Sequence, residues 1–89
     1  MDKLKIATAQ FEHKSADKAY NLAIIEQLAR EAASQGAEVI AFHECSVTGY
    51  TFARNLDKQQ MLAIAELVPD GDSTQKLIAI AAKSNIIIF

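Results

Sequence analysis

The chain has 89 residues, 51% of them hydrophobic, and a formal net charge of −2. This is the composition of one small globular domain rather than a disordered segment, and it provides no basic field to hold nucleic acid or anionic lipid. No apolar run is long enough for a membrane span or a signal segment, and the lone Cys45 has no internal disulfide partner. With no Asn-x-Ser/Thr acceptor either, a reducing cytoplasm is the expected compartment.

Leu4 to Phe11 predicts a strand, small and apolar through Ile6, Ala7 and Ala9. A helix follows from about Asp17 to Gln35. Ile25, Leu28, Ala29 and Ala32 recur at i, i+3, i+4 and i+7 and form one apolar stripe. Gly36 is its expected stop, since glycine enters the left-handed region without steric cost. Glu38 to Phe42 predicts a second strand, so the three elements form a right-handed βαβ unit with parallel strands.

A second helix is predicted over about Asp57 to Leu67, with Leu62, Ala65 and Leu67 sharing a face with Met61, until Pro69-Asp70-Gly71 breaks it. Asp72 is the expected N-cap of a third helix, with Gln75 completing a capping box. Leu77, Ile78, Ala81 and Ala82 are its expected buried side and Asn85 its end. Ile86 to Phe89 then predicts a last buried strand. A run of large apolar residues at a terminus, on a sheet too small to cover its second face, is expected of one part of a larger domain.

The chemistry concentrates between Ile40 and Tyr50. A buried strand delivers the carboxylate of Glu44 to its own carboxyl end, just before a turn built on Thr48-Gly49-Tyr50. In open α/β sheets ligands bind in the crevice outside those strand ends. His43 has two readings: a side chain that tunes Glu44 or borders its pocket, or a histidine satisfied by a backbone carbonyl, which is the expectation. Cys45 follows Glu44 directly. In extended chain it faces the opposite side, so a small buried thiol is expected rather than a nucleophile. Tyr50 and Phe52 are candidates to line a substrate pocket, with turn anchoring or core packing as the alternative. Glu12, His13 and Lys14 border the same crevice and are read as ordinary loop polars. No metal site is expected. His43, Glu44 and Cys45 are consecutive and cannot all face one ion, and Asp70-Gly71-Asp72 lacks the later glutamate of a calcium loop, Ala81 standing there instead. The three glycines, Gly36, Gly49 and Gly71, make no phosphate-cradling pattern.

Several segments in order resemble the nitrilase, or carbon–nitrogen hydrolase, superfamily. They are Ile6-Ala7-Thr8-Ala9-Gln10-Phe11; Gln35-Gly36-Ala37-Glu38 leading into an apolar strand; Glu44 at that strand's end; and Ala65-Glu66, Val68-Pro69-Asp70-Gly71 and Ser73-Thr74 leading into a helix. The resemblance implies that residues 1–89 are the N-terminal portion of a single domain of that family. The implied fold is α/β, ordered strand-helix-strand-helix-helix-strand and forming part of a four-layer αββα sandwich that usually assembles symmetrically, so a homo-oligomer is expected. It further implies hydrolysis of an amide, carbamoyl or nitrile carbon–nitrogen bond in a small molecule by a Glu-Lys-Cys triad, with no cofactor. Glu44 matches the triad's Glu, the general base, which must be buried to act near neutral pH. Lys58, Lys76 and Lys83 match no catalytic segment, so the triad's lysine and cysteine are expected downstream and residues 1–89 alone are expected to be inactive. His43 departs from the proline that often precedes the Glu in this family. The alternative readings are a catalytically inactive relative that serves as a binding or oligomerisation module, and, more distantly, a small flavodoxin-like domain.

Overall fold

The computed structural model describes residues 3–89. Its regular elements are β1 (Ile6–Ala9), α1 (Lys18–Ser34), β2 (Val39–Phe42), a 3-10 helix (Thr51–Asn55), α2 (Lys58–Ile64), α3 (Asp72–Ser84) and β3 (Ile87–Ile88). The strands form one parallel sheet in the order β1-β2-β3. Ile6 lies opposite Val39 and Ala9 opposite Phe42, while Val39 and Ile40 face Ile87 and Ile88. This is the mixed helix and strand order expected, with the parallel sheet expected.

Both long helices end by the same device. Gly36 takes φ +89, its N–H donates to Ala33 O, and the Ala37 N–H reaches back to Ala32 O. At the end of α3 Asn85 takes φ +51, and the N–H groups of Asn85 and Ile86 donate to Ala82 O and Ala81 O. In each case a left-handed residue lets two amides satisfy carbonyls that the helix leaves open. The next residue along, Ala37 or Ile86, is buried and turns the chain into the following strand.

The core lies on one face of the sheet. Leu22, Ile25 and Ala29 of α1 and Ile80 of α3 close over Ile40 and Ile86, with Ala7, Ala9 and Phe42 packed against them. Fully burying a branched side chain such as Ile25, Ile40 or Ile80 contributes about 1.5–3 kcal/mol. The alternate residues point to the other face, where Ile6 is 55% exposed, Ile87 64% and Phe89 87%. The last-strand expectation is therefore met in place but not in burial, because nothing among the described residues covers that face.

Three further expectations are corrected. Helix α2 stops at Ile64 because Ala65 is already extended (φ −62, ψ 146), and Met61, Leu62 and Leu67 are exposed rather than sharing a buried face. Asp72 is the first residue of α3, not its cap; Gly71 flanks the helix and makes no side-chain cap. The buried side of α3 centres on Ile80, with Leu77 and Ala81 half-buried beside it, whereas Ile78 is 52% exposed. The helix is rotated towards α1, which it packs against, so the stripe runs through positions 77, 80 and 81. No helix among the described residues is long and apolar enough to cross a membrane.

Candidate functional site

Glu44 stands two residues beyond the end of β2, where the chain leaves the sheet in a series of turns from Glu44 to Thr48. The carboxyl end of a parallel strand is the expected setting for a reactive group. The expected burial is absent: Glu44 is exposed among the described residues.

This turn is tied to the body of the fold by Asn21, a fully buried polar side chain on α1. Its carboxamide nitrogen donates to Lys14 O and Val47 O, both at 2.8 Å, and its oxygen accepts from the Lys14 N–H at 2.8 Å. The Ala16 N–H donates to Thr48 O at 2.8 Å and closes the same junction. One side chain thus holds the loop after β1 and the turn after β2 together. Asn21 is not among the expected site residues, and its one signal in the sequence is a lone amide on the apolar side of a helix.

Gly49 completes the turn with φ +97 and donates to Cys45 O at 2.7 Å. A Cβ there would lie 2.9 Å from the His13 ring, so only glycine lets His13 seat against the turn. His13 in turn stacks on His43 (centroids 5.6 Å apart, 27° between planes), and Phe11 meets His43 edge-on at 4.9 Å. Both ring nitrogens of His43 are buried and have no hydrogen-bond partner among the described residues. The expected backbone carbonyl is missing, and His13, read as a loop polar, takes its place as a stacking neighbour. With Thr8, Gln10 and Phe42, His43 borders a cleft of about 300 Å³ at the ends of β1 and β2.

The expectation for Cys45 is corrected as well. Cys45 is exposed, at φ +57. The chain turns here instead of extending, so the alternation that would have buried the thiol does not apply. Cys45 borders a larger open groove of about 750 Å³, walled by Tyr50, Phe52, Leu56, Ile64 and Leu77. Tyr50, on this wall, is 58% exposed. Glu44, between His43 and Cys45 in sequence, lines neither this groove nor the cleft.

A polar cluster lies at the groove's edge. Lys18 Nζ donates to Glu66 Oε2 and to Ile64 O, both at 2.5 Å. Glu66 also accepts the Ser73 N–H at 2.7 Å and the Ser73 hydroxyl at 2.5 Å. These bonds, that from Lys18 foremost, hold the Glu66 carboxyl down to about 2 from an ordinary 4.5. Glu66 takes up the Ser73 amide at the start of α3, the work expected of Asp72. No three His, Cys, Asp or Glu side chains converge as a metal site among the described residues.

The parallel sheet begins at Ile6, and the chain leaves its central strand just before Glu44. The carbon-nitrogen hydrolase family matches residues 5–89, and the chain belongs to that family. It is similar to a protein named nitrilase from Pyrococcus abyssi (strain GE5 / Orsay), 28% identical over 85 residues, which cover 96% of this chain and 31% of that protein. The chain therefore spans about a third of the length of this curated relative.

Proposed function

We propose that residues 1–89 form the N-terminal portion of an enzyme that hydrolyses non-peptide carbon–nitrogen bonds of small molecules, amides, carbamoyl groups or nitriles, with Glu44 as general base. The observation that carries this reading is the position of Glu44, just past the carboxyl end of the central strand in a chain matched by the family from residue 5 to residue 89. In the proposed reaction Glu44 takes the proton of a cysteine thiol as sulfur attacks the substrate carbon. For an amide, a lysine stabilises the developing oxyanion, the amine departs with a proton, and a thioester remains. Glu44 then takes a proton from water, which releases the acid and restores the thiol. Both the lysine and the nucleophile lie outside residues 1–89 in this reading. So does the cover that would shield Glu44 from water and make it a competent base. Tyr50 is assigned to the substrate-binding wall and His43 to packing beside the base.

The test compares the longer protein with residues 1–89. Glu44→Gln in the longer protein is expected to cut turnover of an amide substrate by about 10²–10⁴-fold with little change in melting temperature. Residues 1–89 alone are expected to show no turnover. Turnover by the short chain that vanishes on Cys45→Ala would assign the nucleophile to Cys45 and overturn the reading.

A second reading is supported by the open sheet face that carries Ile6, Ile87 and Phe89. In it the chain is a catalytically inactive relative that serves as a binding or oligomerisation module. Loss of activity in the Glu44→Gln protein separates the two, because a module has none to lose.

A further inference from the structure

Helix α2 is weakly anchored to the rest of the fold. It has seven residues and buries none of them. The extensive backbone contacts of the fold join β1 to β2, β2 to β3, α1 to α3 and α3 to β3, and α2 shares in none of these. At each end it meets an extended residue: Leu56 (ψ 140) before its cap Asp57, and Ala65 (ψ 146) after it. Its own capping box, in which Asp57 and Gln60 exchange hydrogen bonds at 2.8 and 2.9 Å, keeps it helical without attaching it to anything. Leu56, Met61 and Ile64 nevertheless form one wall of the 750 Å³ groove.

What fixes that wall is polar and sits at one end. Lys18, the first residue of α1, reaches both the carbonyl of Ile64 and the carboxylate of Glu66. The same carboxylate grips Ser73 at the start of α3. Between the two anchor points the chain doubles back tightly. The Gly71 N–H donates to Leu67 O at 2.7 Å, and a Cβ on Gly71 would lie 2.6 Å from that oxygen and 2.7 Å from Glu66 Cβ. Two helices, α1 and α3, therefore converge on one carboxylate that offers only acceptors to a lysine ammonium, an amide and a hydroxyl.

We propose that α2 is a hinged wall of the apolar groove, fastened to the body of the fold by the Lys18–Glu66–Ser73 clasp, and that release of the clasp frees this wall and widens the groove without unfolding the core. The inference rests on the groove's geometry and is independent of the catalytic role assigned to Glu44. The core residues Leu22, Ile25, Ile40 and Ile80 lie outside the clasp, so their packing has no need of it. Glu66 is a positioning residue here: it sets where the wall stands and touches no reacting atom.

Hydrogen exchange read by mass spectrometry tests this on the 89-residue chain at neutral pH. Glu66→Gln puts an NH₂ group among donors, and the amides of residues 58–65 are expected to exchange about tenfold faster or more, while those of α1 and β2 keep their protection. Ser73→Ala, which leaves the ion pair in place, is expected to give a smaller rise confined to the same segment. Glu26→Gln is the control: it breaks the 3.8 Å pair with Lys76 and is expected to leave α2 unchanged. Unchanged exchange over residues 58–65 in Glu66→Gln overturns the proposal. So does a rise spread evenly through α1 and β2, or loss of helical circular dichroism in both clasp variants, since the clasp would then hold the whole fold rather than one wall of the groove.

Discussion

Asn21 shows how one buried amide can set the position of a site it does not belong to. Its side chain is fully buried and bonds the Lys14 N–H, the Lys14 carbonyl and the Val47 carbonyl. Truncation to alanine strands the Lys14 N–H and the Val47 carbonyl, while the Lys14 carbonyl keeps the Asp17 N–H at 3.1 Å, and a buried polar group without a partner costs about 1–3 kcal/mol. Asn21→Ala is expected to lower stability by about 2–4 kcal/mol in urea denaturation, since part of the loss is recovered by water entering the gap. A loss below about 0.5 kcal/mol would mean that the turn bearing Glu44 is held by other bonds, with Ala16 N–H to Thr48 O the first candidate. At the same scale, the position of Glu44 just past a strand and the turn at Gly49 could be read in the sequence, because a short apolar run and a glycine in a turn each have a local cause. The stacking of His13 on His43 could not. Those residues are thirty apart in sequence and meet only because Gly49 leaves room for a ring.

Among the elements, the strands and α1 were legible because their patterns repeat. The stripe through Ile25, Leu28, Ala29 and Ala32 faces the core as read, and left-handed Gly36 ends the helix as read. The errors fall where tertiary contacts choose between local options. Asp72 is a good cap by residue type, yet the carboxylate that reaches the start of α3 comes from Glu66, outside the helix and seven residues before Ser73. This has a consequence for pH. The Glu66 carboxyl lies at about 2 in the folded chain, against an ordinary 4.5, because Lys18 and Ser73 bind its charged form. A carboxyl depressed on folding contributes stability that is fully present above about 4.5 and is lost as pH falls from there towards about 2. Wild-type stability is therefore expected to fall across that window more steeply than that of Glu66→Gln, in which this group no longer titrates. Lys18 is the cation that faces Glu66, while Asp70 and Asp72 line the cleft beside it; both variants share these residues, so the difference in slope isolates Glu66. Parallel curves for the two proteins would show that the clasp adds nothing to stability in solution.

For the molecule as a whole, the governing fact is a sheet that the described residues cover on one side only. Parallel sheets are normally buried on both faces, because helices or a second sheet cover each side. Here α1 and α3 lie on one side, and the other presents Ile6, Val39 and Ile87 in register across the three strands, with Phe89 beside them. Such a face was foreseeable from the apolar run at Ile86 to Phe89; what should cover it was not, since a pattern of apolar residues names no partner. No Asp, Glu, Lys or Arg stands among those four residues, so two copies can approach face to face at the roughly 10 Å spacing of stacked sheets without desolvating a charge. The purified 89-residue chain is accordingly expected to self-associate in analytical ultracentrifugation and to bind a hydrophobic dye. Ile87→Glu places a charge at the centre of the face, where pairing would strip it of water. Because Ile87 is already 64% exposed, the substitution leaves the core on the opposite side intact. The variant is expected to shift towards monomer and to keep its helical circular dichroism. If the wild-type chain is instead monomeric at about 100 μM and binds no dye, this face is not an association surface, and the oligomerisation reading loses its support.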